Sequence, residues 1–148
     1  MFKKVLKFIL ILAPWFLSSL IVKDFSYFKE INTPSFSLPS NLFGIFWTAL
    51  YILIAISVYK VSEIGFNKSY LKNLLYNYIF NQLYVITFFL LKNPFLAFID
   101  TLLTLITSLF LYYETKEISK NASKYLIPYP LFLVYATILS LSVYFINL

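Results

Sequence analysis

Five apolar runs, each close to the length of a membrane-crossing helix, are separated by short segments that hold nearly all the charge of this chain. They fall near Val5–Val22, Leu42–Tyr59, Asn73–Leu91, Pro94–Tyr113 and Tyr125–Ile146. A helix needs roughly 20 residues to cross the hydrocarbon of a bilayer. A backbone in lipid must satisfy its own hydrogen bonds, which leaves helices or closed barrels. Barrel strands alternate apolar and polar residues, and these runs are apolar all round. The expected fold is therefore an all-α membrane protein, a five-transmembrane-helix bundle forming one domain over residues 1–148. The chain is 61% hydrophobic and 12% charged, with a mean hydropathy of +0.81. A soluble domain carries about twice that charge. Cysteine and histidine are both absent, which removes disulfides and thiolate or imidazole metal sites.

Lysine supplies every basic residue and orients the bundle. Lys3, Lys4, Lys7, Lys60, Lys68, Lys72, Lys116, Lys120 and Lys124 fall on one side if the spans alternate, and Lys23, Lys29 and Lys92 on the other. The positive-inside bias then puts the N-terminus in the cytoplasm and the C-terminus outside. The first run has a lysine-rich start and an apolar middle, as a signal peptide does. No small-x-small cleavage site follows it at Ser18–Val22, so it reads as helix one, kinked at Pro14.

Few groups in the spans can do more than pack. Asp100 is the one acidic residue well inside a span. It reads either as a polar anchor in a cavity or as a carboxylate tied to Tyr or Asn on a neighbouring helix. In the third run Asn77, Asn81 and Tyr84 recur at helical spacing, with Phe88 one turn on. Such a stripe faces a cavity or a partner helix, not lipid. Between the first two runs, Pro34-Ser35-Phe36-Ser37-Leu38-Pro39 cannot be helix, because each proline lacks a donor and extends the residue before it. That stiff loop feeds the aromatic helix start Phe43-Gly44-Ile45-Phe46-Trp47-Thr48-Ala49-Leu50-Tyr51, as a lid over a pocket would.

This segment resembles the signature of the tryptophan-rich sensory protein/translocator protein (TspO/MBR, peripheral-type benzodiazepine receptor) family. The resemblance runs from about Pro14 to Asn147. Phe43, Gly44, Trp47, Thr48, Leu50 and Tyr51 carry it in the second run, and Asn81 with Phe88-Phe89 in the third. Ala97 and Asp100 carry it in the fourth run, and Pro128-Tyr129, Ala136, Leu139 and Asn147 in the fifth. It implies a five-helix bundle, often a homodimer, with a ligand cavity between the helices closed by the first loop. For a bacterial-type member it implies the cell membrane as location. Family ligands are tetrapyrroles such as porphyrin and haem, sterols, and benzodiazepine-type drugs.

Carried over by position, the pocket comprises Phe46, Trp47, Asn81, Tyr84, Phe88, Asp100, Leu103, Phe132, Ala136 and Leu139, with Pro34 and Phe36 in the lid. The departures are specific. Only Trp15 and Trp47 remain of the family's tryptophans, with Tyr84 and Phe132 at two tryptophan positions and Ser140 where the family has asparagine. No basic residue follows Lys124, so the sterol motif of the mitochondrial branch cannot form.

Three functions stay open. The leading one is binding and sensing of tetrapyrroles, with transport or regulation as output, no required cofactor and no bound metal. Met1 is the sole methionine, which leaves Tyr as the candidate ligand for haem iron. The second is light-dependent porphyrin breakdown, in which Trp47 would act; Phe132 at the second tryptophan position weakens it. The third is a structural or partner-binding membrane subunit with no small ligand. Nothing in the chain suggests nucleic acid.

Overall fold

The computed structural model describes residues 2–148, and it is helical with no strand among them. Helix α1 (Phe2–Leu12) passes through a 3-10 turn at Ala13–Phe16 into α2 (Leu17–Ile21). The break falls at Pro14, which removes a donor and crowds the turn before it. A loop follows with one helical turn, α3 (Tyr27–Glu30). Then come α4 (Ser40–Ile64), α5 (Lys68–Val85), α6 (Pro94–Ile118), α7 (Lys120–Ser123) and α8 (Pro128–Ile146).

Local chemistry sets the ends. The Tyr70 backbone N–H donates to Asn67 Oδ1 at 2.7 Å, so α5 starts at Lys68 rather than at the expected Asn73. Leu96 N–H donates to Asn93 Oδ1 at 3.0 Å, with Pro94 as the first helical residue of α6. Gly65, at φ 132°, ends α4 in a conformation that a side chain would strain. Helices α4 and α6 run past their expected ends at Tyr59 and Tyr113. Hydropathy marks only the part in hydrocarbon, and these last turns carry Lys60, Glu63, Glu114, Lys116 and Glu117. The last run is preceded by α7 and a 3-10 turn at Lys124–Leu126, so its long helix begins at Pro128.

Among the described residues, four helical stretches are long and apolar enough to cross a membrane: Phe2–Ile21, Ser40–Ile64, Pro94–Ile118 and Lys120–Ile146. The expected fifth, α5, does not reach that standard. Asn73, Asn77, Asn81, Gln82 and two lysines dilute it, and after Val85 it widens into a π turn, Ile86–Leu90. The turn is closed by Leu91 N–H on the Ile86 carbonyl at 2.9 Å.

Helix α6 is the spine, packed against α5 on one side and α8 on the other. Its buried stripe, Ala97, Thr101, Thr104, Ser108, Leu111 and Thr115, is mostly small, which lets neighbouring backbones approach. The threonines satisfy themselves within the helix; Thr101 Oγ1 donates to Ala97 O at 2.7 Å and Thr115 Oγ1 to Leu111 O at 2.6 Å. The core joins Trp15, Leu50, Tyr51, Ile54, Leu111, Tyr129 and Leu133 from four of the long stretches. Exposed Leu20, Ile45, Phe110, Leu131 and Ile138 form an outer apolar girdle, as a lipid solvent allows.

Candidate functional site

The polar stripe of α5 sits at the centre of a hydrogen-bond network that reaches every long helix. The Tyr51 hydroxyl donates to Asn81 Oδ1 at 3.0 Å, and Asn81 Nδ2 donates to the Tyr129 hydroxyl at 3.0 Å. Tyr129 donates onward to Asn77 Oδ1 at 3.1 Å, and Asn77 Nδ2 to the Thr104 carbonyl at 3.1 Å. Gln82 closes the network on span one. Its Nε2 donates to Trp15 O at 3.1 Å, while Ser18 N–H donates to its Oε1 at 2.9 Å. The side-chain amide thus takes the groups that the 3-10 break leaves without helical partners. The Tyr78 hydroxyl donates to the Pro14 carbonyl at 3.0 Å, alongside the Leu17 N–H that also reaches it.

Above this network lies a cavity of about 450 Å³. Trp47, Tyr51, Asn81 and Tyr84 form its floor and back, and Phe43, Phe89 and the loop residues Phe25 and Phe28 its aromatic sides. The exposed lining residues Ser19, Phe25, Ser40, Gly44 and Thr48 mark its mouth. A recess of about 20 Å³ adjoins it behind Phe43, Trp47, Asn81 and Tyr84, bounded also by Thr101, Thr104, Leu133, Ala136 and Leu139. That is room for about one water molecule.

The loop over the site is fastened at three points. The Tyr135 hydroxyl donates to Phe36 O and accepts from Leu38 N–H, both at 3.1 Å. Asn147 binds the Asn32 backbone twice, accepting at 3.1 Å and donating at 2.8 Å. Lys92 pairs with Glu30 at 3.2 Å, and the Tyr27 hydroxyl donates to the Lys92 carbonyl at 3.3 Å. Burial raises the Tyr27 hydroxyl above its ordinary pKa, so it remains a donor.

Of the residues expected at the site, Trp47, Asn81 and Tyr84 line the cavity and the recess together, and Ala136 and Leu139 line the recess. Phe132 stands behind Trp47, edge-on at 5.5 Å, and stacks on Phe46 at 5.6 Å. Phe46 is itself exposed. Phe88 is buried and stacks under Tyr84 at 5.6 Å and 6°, backing the wall without reaching the space. Pro34 opens a turn closed by Ser37 N–H at 2.9 Å, and Phe36 packs on Tyr135; both fasten the lid rather than line the cavity. Leu103 is half-buried on α6, away from both spaces.

Asp100 also lines neither space. It is 5% exposed, and its Oδ2 has no hydrogen-bond partner among the described residues. Neither the expected tie to Tyr or Asn nor the cavity anchor is seen. Thr104 bonds only its backbone carbonyl, at 2.9 Å.

Phe16, Ser19, Phe25 and Val85 reach the cavity without any sequence signal; an aromatic residue in a loop looks like any other. Among the described residues no three His, Cys, Asp or Glu side chains gather as a metal site would require. The site can grip a flat apolar body between aromatic rings and offer it an amide, hydroxyls and little else.

The model of the TspO/MBR family matches residues 7–146. The chain is 37% identical over 146 residues to the tryptophan-rich protein TspO of Bacillus cereus, covering 97% of this chain and 95% of that protein. It is 34% identical to the uncharacterized membrane protein YtaB of Bacillus subtilis, covering 84% of this chain and 83% of that one. To the tryptophan-rich protein TspO of Archaeoglobus fulgidus it is 32% identical, covering 82% and 80%. With apolar helices of membrane-crossing length and a family match over nearly its whole extent, the chain is a membrane protein that belongs to the TspO/MBR family.

Proposed function

We propose that the protein binds a tetrapyrrole, metal-free porphyrin at least as well as haem, and acts as a sensor or carrier for it. The observation that carries this reading is the lidded cavity of about 450 Å³ walled by Trp47, Tyr84, Phe43 and Phe89. Pockets that bury small-molecule ligands run to roughly 300–1,000 Å³. Aromatic faces suit a flat macrocycle, each contact adding about 0.5–1.5 kcal/mol beyond area burial. Asn81 and the mouth residues Ser19, Ser40 and Thr48 suit its polar edge. The relatives named tryptophan-rich protein TspO support the same class of protein.

In this reading α5 crosses the bilayer as a fifth span, its polar face turned inward onto Tyr51, Tyr129 and Thr104. The lysine-rich end is cytoplasmic and the lid lies outside. A homodimer is compatible with the apolar outer face. Binding rather than light-driven degradation is favoured by Phe132 beside Trp47, where an oxidisable indole would otherwise stand.

A Trp15→Phe variant leaves Trp47 as the only fluorescent indole, so titration with protoporphyrin reads the cavity directly. Saturable quenching at one porphyrin per chain, lost when Gly44 is replaced by a bulky residue, is expected. Quenching that never saturates, or that is unchanged by filling the cavity, would overturn the reading. Illumination of the complex should bleach porphyrin equally with Trp47 or Phe at that position; loss that depends on Trp47 would favour the enzyme.

A further inference from the structure

A second hollow lies outside the aromatic cavity, on the lipid side, where span one meets α4 and α5. Two spaces of about 340 and 350 Å³ share Leu10 and Ile11 and so form one groove. Its outer part is bordered by Lys3, Lys7, Ser62 and Phe66. Its inner part runs past Pro14, Leu71, Leu75 and Tyr78. Lys3 to Pro14 spans roughly 16 Å at 1.5 Å per residue. That is about half of a ~30 Å hydrocarbon core, the depth of one leaflet. The groove is thus charged at the membrane surface and apolar below it.

The charge is only partly neutralised from within the protein. Lys7 pairs with Glu63 at 2.5 Å, whereas Lys3 forms no ion pair among the described residues. Contacts between Lys7 and Glu63, Lys60 and Tyr125, and Ser69 and Glu114 gather these helix ends on one side. Nine lysines stand there against three glutamates. An anion is the complementary occupant of the mouth, and a hydrocarbon chain of the floor.

We propose that this groove holds one anionic phospholipid. Its phosphate rests on Lys3 and Lys7 beside Ser62, and one acyl chain lies along Leu10 and Ile11 toward Pro14 and Tyr78. The chain end backs the break in span one, whose opposite face is held by Gln82. The lipid braces that break without entering the aromatic cavity.

The test is native mass spectrometry of the full chain released from detergent. The lipids compared are phosphatidylglycerol and phosphatidylcholine with identical acyl chains. One phosphatidylglycerol per chain should be retained in preference to phosphatidylcholine. Lys3→Gln with Lys7→Gln should weaken retention roughly thirtyfold, each lysine near an anionic surface contributing about fivefold. Lys116→Gln with Lys120→Gln removes the same charge from the same end and should change it by less than about twofold, since screening confines the effect to near neighbours. Leu75→Trp, which narrows the inner groove, should lower retention of both lipids. Should the paired variant fail to fold, Lys3→Gln alone reads the same preference. Equal retention of the two lipids, or equal loss from the two lysine pairs, would overturn the proposal. So would a dimer that Leu75→Trp dissociates while lipid retention stays unchanged, since a second copy would then occupy the groove.

Discussion

Removing the amide of Asn81 tests whether the buried network holds the bundle together. Asn81 makes three side-chain bonds, to the Tyr51 hydroxyl, the Tyr129 hydroxyl and Gln82 Nε2. Such bonds average about 0.6 kcal/mol each by double-mutant cycles in a membrane protein. Tyr129 and Gln82 keep other partners, Asn77 and Trp15 O. Tyr51 keeps none, and an orphaned buried hydroxyl costs about 1–3 kcal/mol. Asn81→Ala should therefore destabilise by about 3 kcal/mol. Tyr51→Phe alone should cost only about 0.6 kcal/mol, because the ring still packs on Phe16 at 5.2 Å and Trp47 at 5.7 Å. In the Asn81→Ala background the same change removes the orphan, so it should be neutral or stabilising. Reversible unfolding in mixed micelles, followed by far-UV circular dichroism, measures all four corners of the cycle. A Tyr51→Phe cost that is the same in both backgrounds would refute the reasoning, since it would mean the bond contributes nothing.

Other substitutions separate packing from binding. Asp100→Asn replaces a buried carboxylate whose Oδ2 lacks a partner by a neutral group of the same shape, and should raise the midpoint of thermal unfolding. A Cβ added at Gly44 meets nothing within 4 Å, so Gly44→Leu should gain up to about 1 kcal/mol in helix stability while lowering porphyrin affinity tenfold or more. Tyr135→Phe combined with Asn147→Ala removes two of the three lid fastenings; limited proteolysis should then cut within residues 22–39 faster, with helical content unchanged. Gln82→Leu leaves Ser18 N–H and Trp15 O without their cross-helix partner, and should speed hydrogen exchange in the second half of span one before any other helix.

Much of the architecture was legible in the residues alone. Lipid demands long apolar helices, so the runs near Val5–Val22, Leu42–Tyr59, Pro94–Tyr113 and Tyr125–Ile146 announce themselves, and each overlaps one of the apolar helical stretches of the structure. The break in span one follows from Pro14, and the inward face of α5 from the spacing of Asn77 and Asn81. Trp47, Asn81 and Tyr84 could be named as neighbours of one space because helical period puts Asn81 and Tyr84 on one face and the family resemblance adds Trp47.

What the chain order could not disclose is which distant atoms meet. Nothing local says that Tyr135 reaches a loop 97 residues away, or that Asn147 grips one 115 residues away. Nor does hydropathy say that Gln82 repairs the backbone broken at Pro14, that Asp100 Oδ2 has no hydrogen-bond partner among the described residues, or that Phe25 rather than Phe36 lines the cavity. Solvent preference is a property of each residue and is written in composition. Hydrogen-bond pairing and cavity shape depend on how five elements lean on one another, and only the packed bundle decides that.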